Sequence, residues 1–177
     1  MLLPARTDSH ELLEKYIHNA ALLHHCQMVA AAMEAYAKEL GEDPELWYQA
    51  GLLHDLDWEQ FPDEHPNKAI AEFLTEYPQA LRDAVAAHAP GRTGKQPEAL
   101  IERYVFACDE LSGLMHAVSL MRPGGFEGME PKSIKKKLKD KSFAANVSRE
   151  DITRGLELIG KTDDEHIAFL IGVFRKN

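Results

Sequence analysis

The residues best suited to chemistry are a histidine and an aspartate side by side, His54-Asp55, directly after the apolar pair Leu52-Leu53. A transition metal ion that works on oxygen chemistry is held well by imidazole nitrogen combined with an anionic carboxylate oxygen. The His-Asp pair offers both donors from one short piece of backbone, so it is a candidate pair of metal ligands. A buried histidine can also pair with a neighbouring aspartate simply to satisfy two polar groups in a core. Further histidines and aspartates must therefore decide between the two readings.

The elements that position these residues are predicted to be helices. Apolar residues recur every three or four positions, and no run with the alternation of a strand is found. Asn19 is predicted to cap the N-terminus of one helix, and Gly41 is predicted to end it. Asp43-Pro44 is predicted to begin the next helix. The sequence predicts an all-α fold with helices at 8–16, 20–40, 45–53, 65–77, 78–88, 98–121, 149–160 and 163–174, and loops at 57–64 and 89–96.

Polar residues on the apolar sides of these helices extend the candidate set. His25 falls on an apolar stripe, whereas His24 is turned about 100° away and is expected to be exposed. His88 ends a predicted helix on its apolar face, and Asp109 lies on an apolar stripe, which is costly unless the carboxylate is paired. A metal site inside a helical bundle requires several helices to direct such groups inward. The inward-facing set is His25, His54, Asp55, His88 and Asp109, while His10, His18, His24, His116 and His166 are interpreted as structural or surface residues.

The segments around these residues resemble the HD-domain superfamily of metal-dependent phosphohydrolases, whose pattern is a His, then His-Asp, then a late Asp. The resemblance covers about residues 20–120, and the lysine-rich stretch 135–144 looks like a subgroup of predicted HD hydrolases. It implies an HD-type helical bundle with a metal site in its core. The segments that carry it are His25-Cys26-Gln27-Met28-Val29, Ala50-Gly51-Leu52-Leu53-His54-Asp55 and Ala107-Cys108-Asp109-Glu110-Leu111-Ser112-Gly113.

The resemblance also implies roles for individual residues. One metal ion would be bound by His25, His54, Asp55 and Asp109, with His54 and Asp55 as the catalytic pair. His65 and His88 stand where two-metal members place extra histidines, with Asp55 bridging the ions. The expected cofactor is one or two divalent transition metal ions, Fe, Mn, Zn, Co or Ni, with Mg as a further option. Plain alternatives are that His88 is a core histidine bonded to a carbonyl and that His65 caps local backbone.

The expected reaction is hydrolysis of a small phosphorylated molecule, a nucleotide or related phosphoester, by water that the metal activates. Asp57-Trp58 stands where many HD proteins have Gly-Lys, which leaves the exact substrate class open. Two other readings remain: an HD-fold di-iron oxygenase resembling inositol oxygenase, and a non-catalytic metal-binding sensor module. The candidate phosphate contacts are Arg82, Arg92 and Lys95, which flank His88, and Lys136, in a lysine cluster that could instead be a solvated helical face.

Composition and charge limit the remaining possibilities. The 177 residues, 45% of them hydrophobic, are expected to form one domain, with a metal-binding core at about 20–120 and a helical extension at about 131–177. A net charge of -9 argues against general nucleic-acid binding. Cys26 and Cys108 form no CxxC spacing, and no signal-like or membrane-spanning run is found. We therefore expect reduced thiols, a cytoplasmic location, no membrane partner and a small phosphorylated substrate, with a homodimer left open.

Overall fold

The structure is a computed structural model that describes residues 2–176. Within that range the chain forms nine α-helices, one short π-helical segment at Ala69–Phe73, and no strand, which confirms the prediction of an all-α fold. The helices are α1 (Arg6–Tyr16), α2 (Ala20–Leu40), α3 (Pro44–Leu53), α4 (Gln79–His88), α5 (Pro90–Thr93), α6 (Leu100–Leu120), α7 (Pro131–Lys139), α8 (Arg149–Ile159) and α9 (Asp163–Phe174).

Side-chain caps determine where the site-bearing helices α2 and α3 begin. The Asn19 side chain accepts hydrogen bonds from the backbone N–H groups of the first turn of α2, and Asp43 does the same for α3. These bonds satisfy donors that have no partner inside the helix. Gly41 ends α2 in the left-handed conformation, with φ at 75°. The predicted boundaries of both helices are confirmed.

Three local predictions are wrong. The first helix begins at Arg6 rather than after Asp8, because the Asp8 carboxylate accepts the N–H of Ala5 and caps the helix from inside. The helix expected at 65–77 is reduced to the π-helical segment, because the buried Asp57 carboxylate takes the N–H of Ala69 at 2.7 Å. The loop expected at 89–96 contains the short helix α5.

Two close helix contacts fix the framework around the site. A Cβ on Gly51 of α3 would lie 2.9 Å from the backbone of Ala30 in α2, so α2 and α3 approach as only a glycine permits. A Cβ on Gly155 of α8 would lie 2.7 Å from the Cα of Ala107 in α6, so the second contact is equally tight. The buried core around these contacts is aromatic and aliphatic, and includes Met33, Tyr36, Trp47, Leu52, Leu111 and Leu114.

Two buried hydrogen bonds through His166 link the C-terminal helix α9 to the core. The hydroxyl of Tyr36 donates to Nδ1 of His166 at 2.6 Å, and Nε2 of His166 donates to the carbonyl of Ala107 at 3.1 Å. Both ring nitrogens are therefore satisfied when the imidazole is neutral. Burial lowers the pKa of His166 to about 4, which keeps the ring in that neutral form.

The segment between α7 and α8 is held by one arginine. The guanidinium of Arg149 donates to four backbone carbonyls of this segment, those of Asp140, Phe143, Ala144 and Val147. The N–H of Ser148 also donates to the carboxylate of Glu110 on α6 at 3.0 Å. These bonds hold residues 140–148 against α6, next to Asp109.

Cys26 and Cys108 are both free and buried. Among the helices of residues 2–176, none has both the length and the apolar character needed to cross a bilayer.

Candidate metal centre

Six polar side chains from four separate helices and the turns between them meet at one place in the bundle. Helix α2 contributes His25, the C-terminal end of α3 and the turn after it contribute His54 and Asp55, and α6 contributes Asp109. His65 comes from the turn before the π-helical segment, and His88 is the last residue of α4. Because the C-terminal ends of helices carry partial negative charge, the ends of α3 and α4 add to the attraction for a cation.

The first group of donors consists of His25, His54, Asp55 and Asp109, whose ligand atoms all lie within 4.8 Å of one another. Nε2 of His25 lies 3.0 Å from Oδ1 of Asp109 and 3.2 Å from Nε2 of His54. Nε2 of His54 lies 3.3 Å from Oδ2 of Asp55. Two imidazole nitrogens and two carboxylate oxygens therefore surround one point, the mixture of donors that a divalent transition metal ion favours.

The second group consists of Asp55, His65 and His88, and it shares Asp55 with the first. Oδ1 of Asp55 lies 3.4 Å from Nε2 of His65 and 3.7 Å from Nε2 of His88. The other carboxylate oxygen, Oδ2, faces the first group. The two oxygens of one carboxylate thus face two different donor groups, which is the arrangement required of a bridging ligand.

The hydrogen bonds of the rings provide a test of whether these residues fit a metal ion. Nδ1 of His65 lies 2.7 Å from Oδ1 of Asp57, and Nδ1 of His88 lies 2.5 Å from the carbonyl oxygen of Val85. Both Nδ1 atoms must carry a proton to make these bonds, so in neutral rings both Nε2 atoms carry a lone pair. Those two Nε2 atoms nevertheless face each other at 3.1 Å. Two lone pairs repel at this distance, and a cation bound by both removes the conflict.

The same test applies to the first group. Nδ1 of His54 donates to the carbonyl of Gly51 at 2.8 Å, so in the neutral ring Nε2 carries a lone pair that a cation between His25 and the carboxylates would bind. Histidines that bind metals in proteins usually donate their second nitrogen in this way, because the bond fixes the ring orientation and the tautomer. The described residues therefore fit a metal ion in both groups.

The electrostatics of the buried cluster favour positive charge. Burial alone lowers the pKa of His54, but Asp55 and Asp109 outweigh it and hold that pKa well above its usual value. Burial alone raises the pKa of Asp55, but His54 outweighs it and holds that pKa well below its usual value. The pKa of Asp109 is likewise lowered against burial by His54 and His25. The carboxylates therefore stay ionised, as metal ligands must.

The donor atoms open into a cavity of about 610 Å³, a size suited to a small-molecule ligand. The donors His25, Asp55, His65, His88 and Asp109 line part of it. The other lining residues are Trp58, Ala89, Pro90, Gly91, Arg92, Glu110, Gly113, Asn146, Val147, Asp151 and Arg154. A ligand in this cavity would reach the donor atoms directly from solvent.

The comparison with known families identifies the chain. A model described as the HD domain matches residues 22–114, more than half of the 177 residues. The chain belongs to the HD domain family. No curated protein and no solved structure gives a significant match. HD domain proteins are mostly metal-dependent phosphohydrolases, so membership together with the His/Asp cluster indicates hydrolase-like chemistry that depends on a metal ion.

The predicted substrate contacts of this HD domain fall in different places. Arg92 lines the cavity, but Arg82 lies outside its lining and donates to the carbonyl of Ile70. Lys95 is also outside and forms an ion pair with Glu102 at 3.0 Å. Lys136 is exposed on α7, away from the cavity lining. The structure therefore brings one of the four predicted contacts to the HD domain cavity.

Sequence reasoning missed three residues of the cavity wall, and it interpreted Asp57 as a residue that orients ligands or faces water. Asn146, Asp151 and Arg154 come from the C-terminal part of the chain, outside the matched HD region, and no periodic pattern points from there to the cavity. Asp57 is fully buried and bonded to His65, which explains why an acidic residue follows the His-Asp pair in this HD domain. The remaining histidines lie elsewhere: the ring of His116 packs at a tilt against that of His24, with centroids 4.6 Å apart, and His10 forms a hydrogen bond with Tyr48.

Proposed function

We propose that this HD domain protein is a metal-dependent phosphohydrolase that acts on a small phosphorylated molecule, a nucleotide or related phosphoester. The observation that carries the proposal is the pair of donor groups sharing Asp55, with one carboxylate oxygen directed at each. Two cations held about 4 Å apart lower the pKa of a bound water and neutralise the charge that develops on a phosphoryl group under attack.

Each residue has a definite task in this proposal. His25, His54, Asp55 and Asp109 would hold the first ion, and Asp55, His65 and His88 the second. The imidazole-rich set favours Mn, Fe, Co, Ni or Zn over Mg, which prefers oxygen ligands. The cluster lies at the floor of a cavity, so a phosphoester would present its phosphorus to the donor atoms while its remaining part contacts the walls.

The residues around the donors restrict how they can move. The bonds from His54 to Gly51, from His88 to Val85 and from His65 to Asp57 hold three rings at fixed angles before any ligand arrives. A preorganised site requires no rearrangement during the reaction, which is the main source of electrostatic catalysis.

The proposal is tested by combining metal content with phosphate release. Protein purified without added metal is analysed for metal identity and stoichiometry and assayed with a panel of nucleoside monophosphates and other phosphomonoesters under nitrogen. We expect two ions per chain and release of inorganic phosphate; His54→Gln should lose the first ion and the phosphate release with it. Oxygen consumption in a parallel assay in air, with no phosphate release under nitrogen, would instead support the di-iron oxygenase alternative. Stoichiometric metal binding with neither activity across the panel would support the sensor alternative.

A further inference from the structure

The cavity above the metal-ligand cluster has two guanidinium groups in its walls, Arg92 and Arg154. The first belongs to the short helix α5, directly after the helix that ends at His88. The second belongs to α8, which lies outside the part of the chain matched by the HD family model. A substrate with a single anionic group would need cations only at the metal-ligand cluster, where the proposed ions would bind that group. Two further cations in the walls therefore need their own explanation.

Arg154 is held in its position by three features. The close contact of the next residue, Gly155, with Ala107 brings α8 directly onto α6. The guanidinium then lies over the ring of Phe106, 5.1 Å from its centroid, one helical turn before Asp109. Its Nη2 donates to Oε1 of Gln96 at 2.6 Å. These contacts direct the charged end into the cavity wall, and they restrict the freedom that a long side chain otherwise has.

Arg92 is held on another part of the wall. Its Nη1 donates to the carbonyl of Pro62 at 2.6 Å, and its guanidinium lies 5.2 Å from the centroid of the Trp58 ring. Trp58 also lines the cavity and packs edge-on against His65, with ring centroids 5.0 Å apart. The arginine is thereby linked through one aromatic ring to a predicted metal ligand.

Neither guanidinium is neutralised by a carboxylate. Across residues 2–176, no carboxylate oxygen lies within 4.0 Å of a nitrogen of Arg92 or Arg154, whereas Lys95 and Lys135 are ion-paired. A guanidinium has five N–H donors, and the described bonds of each arginine use only part of that capacity. Asp151 and Glu110 also line the cavity, and the two arginines are the permanently charged cations in its lining.

We propose that Arg154 binds a second oxyanion of the substrate, while the phosphate to be hydrolysed lies at the His/Asp cluster and Arg92 adds positive charge on another part of the wall. The substrate class is a phosphoester that carries another phosphate or a carboxylate. The planar fork of a guanidinium matches both groups with paired hydrogen bonds. This inference rests on the proposed phosphohydrolase function and makes Arg154 a specificity-determining residue.

Binding of inorganic phosphate tests the inference without requiring turnover. Titrations followed by calorimetry and by ³¹P NMR are done on metal-loaded protein and on the same protein after chelation. We expect two binding events in the metal-loaded protein, of which chelation removes one. Arg154→Gln should remove the other event, or weaken it by about 10-fold to 100-fold, as expected for the loss of charge-assisted hydrogen bonds. Arg154→Lys should weaken it less, because the charge is kept and the fork is lost.

The outcomes separate the two proposals. If Arg154→Gln keeps both binding events at unchanged affinity, the second-oxyanion site is refuted, whatever the metal result. If chelation changes nothing, the metal-dependent function fails, and the effect of Arg154→Gln still decides the arginine site. Lys136→Gln is the matched control: it removes one cation from an exposed position outside the cavity lining and should leave both events unchanged. Circular dichroism of each variant verifies the fold.

Three hexose probes then identify the second oxyanion by their ability to displace bound phosphate from the metal-loaded protein. Glucose 6-phosphate has one phosphate, glucose 1,6-bisphosphate has two, and 6-phosphogluconate has one phosphate and one carboxylate. We expect at least one doubly anionic probe to bind at least about 10-fold more tightly than glucose 6-phosphate, and Arg154→Gln to abolish that advantage. Equal affinity for all three probes, or an advantage that persists in Arg154→Gln, would contradict the inference.

Discussion

Replacing Asp57 by asparagine should reduce the metal content from two ions to one. Asp57 is fully buried and has two partners: Nδ1 of His65 donates to its Oδ1 at 2.7 Å, and the N–H of Ala69 donates to its Oδ2 at 2.7 Å. Asparagine keeps one acceptor oxygen and turns an NH₂ group toward the other donor. Two donors then face each other in a site that excludes water.

The magnitude follows from these bonds. A hydrogen bond to a charged acceptor contributes about 1.5–3 kcal/mol, and the donor left unpaired adds a desolvation penalty, so Asp57→Asn should destabilise the fold by roughly 2–4 kcal/mol. Loss of a carboxylate that orients a metal-bound histidine typically costs about 10-fold to 100-fold in metal affinity. The loss should affect the group containing His65 and His88. The group containing His25 and Asp109 makes no bond to Asp57 and should keep its ion.

The assay combines urea denaturation with metal analysis of dialysed protein. Asp63→Asn is the control, because it makes the same chemical change at an exposed position of the same turn region. It should leave both the stability and the two-ion content unchanged. An Asp57→Asn protein with wild-type stability and two tightly bound ions would refute the argued role of the Asp57–His65 bond.

Three further predictions test other parts of the structure. Buried His166 has a pKa of about 4, whereas histidine in the unfolded chain has its ordinary pKa near 6.5. The free energy of unfolding should therefore fall by roughly 3 kcal/mol as pH falls from about 6.5 to 4. Denaturation of His166→Gln at several pH values should show that this part of the pH dependence is gone. Gly51→Ala should lower the free energy of unfolding by about 1–3 kcal/mol, because the new Cβ clashes with Ala30. Gly172→Ala has open space around it and should stabilise α9 by up to about 1 kcal/mol. Equal melting temperatures for the two variants would contradict this prediction. Lys136→Glu should leave the KM for a phosphate substrate unchanged, since Lys136 lies outside the cavity lining, and a large rise would contradict its assignment to a solvated face.

The parts of the fold that could be predicted from the sequence are those governed by local rules. The ends of α2 and α3 follow from Asn19, Gly41 and Asp43, whose side chains and backbone preferences act within a few residues. Helical periodicity places His25 and Asp109 on inward faces, and the structure brings both to one point with the His-Asp pair. The local pattern therefore carried most of the information about the donor atoms.

The parts that could not be predicted depend on distant partners. The segment 65–77 has helical composition. Its backbone N–H at Ala69 and its His65 ring nevertheless bond to the buried carboxylate of Asp57, eight residues before His65. The position of Arg154 depends on a contact between α8 and α6 that is too close for any side chain at Gly155. Nothing in the residues around position 154 signals that contact. Sequence periodicity thus predicted the metal-ligand cluster better than it predicted the residues of the cavity wall.

Part of the cavity wall is built by chain that follows the matched family region. The donor atoms lie between residues 25 and 109, whereas Asn146, Val147, Asp151 and Arg154 come from a later stretch whose backbone Arg149 holds in place. Part of the wall that a ligand would contact is therefore encoded in a stretch of polypeptide separate from the donor atoms. Under the proposed hydrolase function, exchanging residues 140–154 for a different sequence would change the preferred substrate while the metal-ligand set is inherited unchanged.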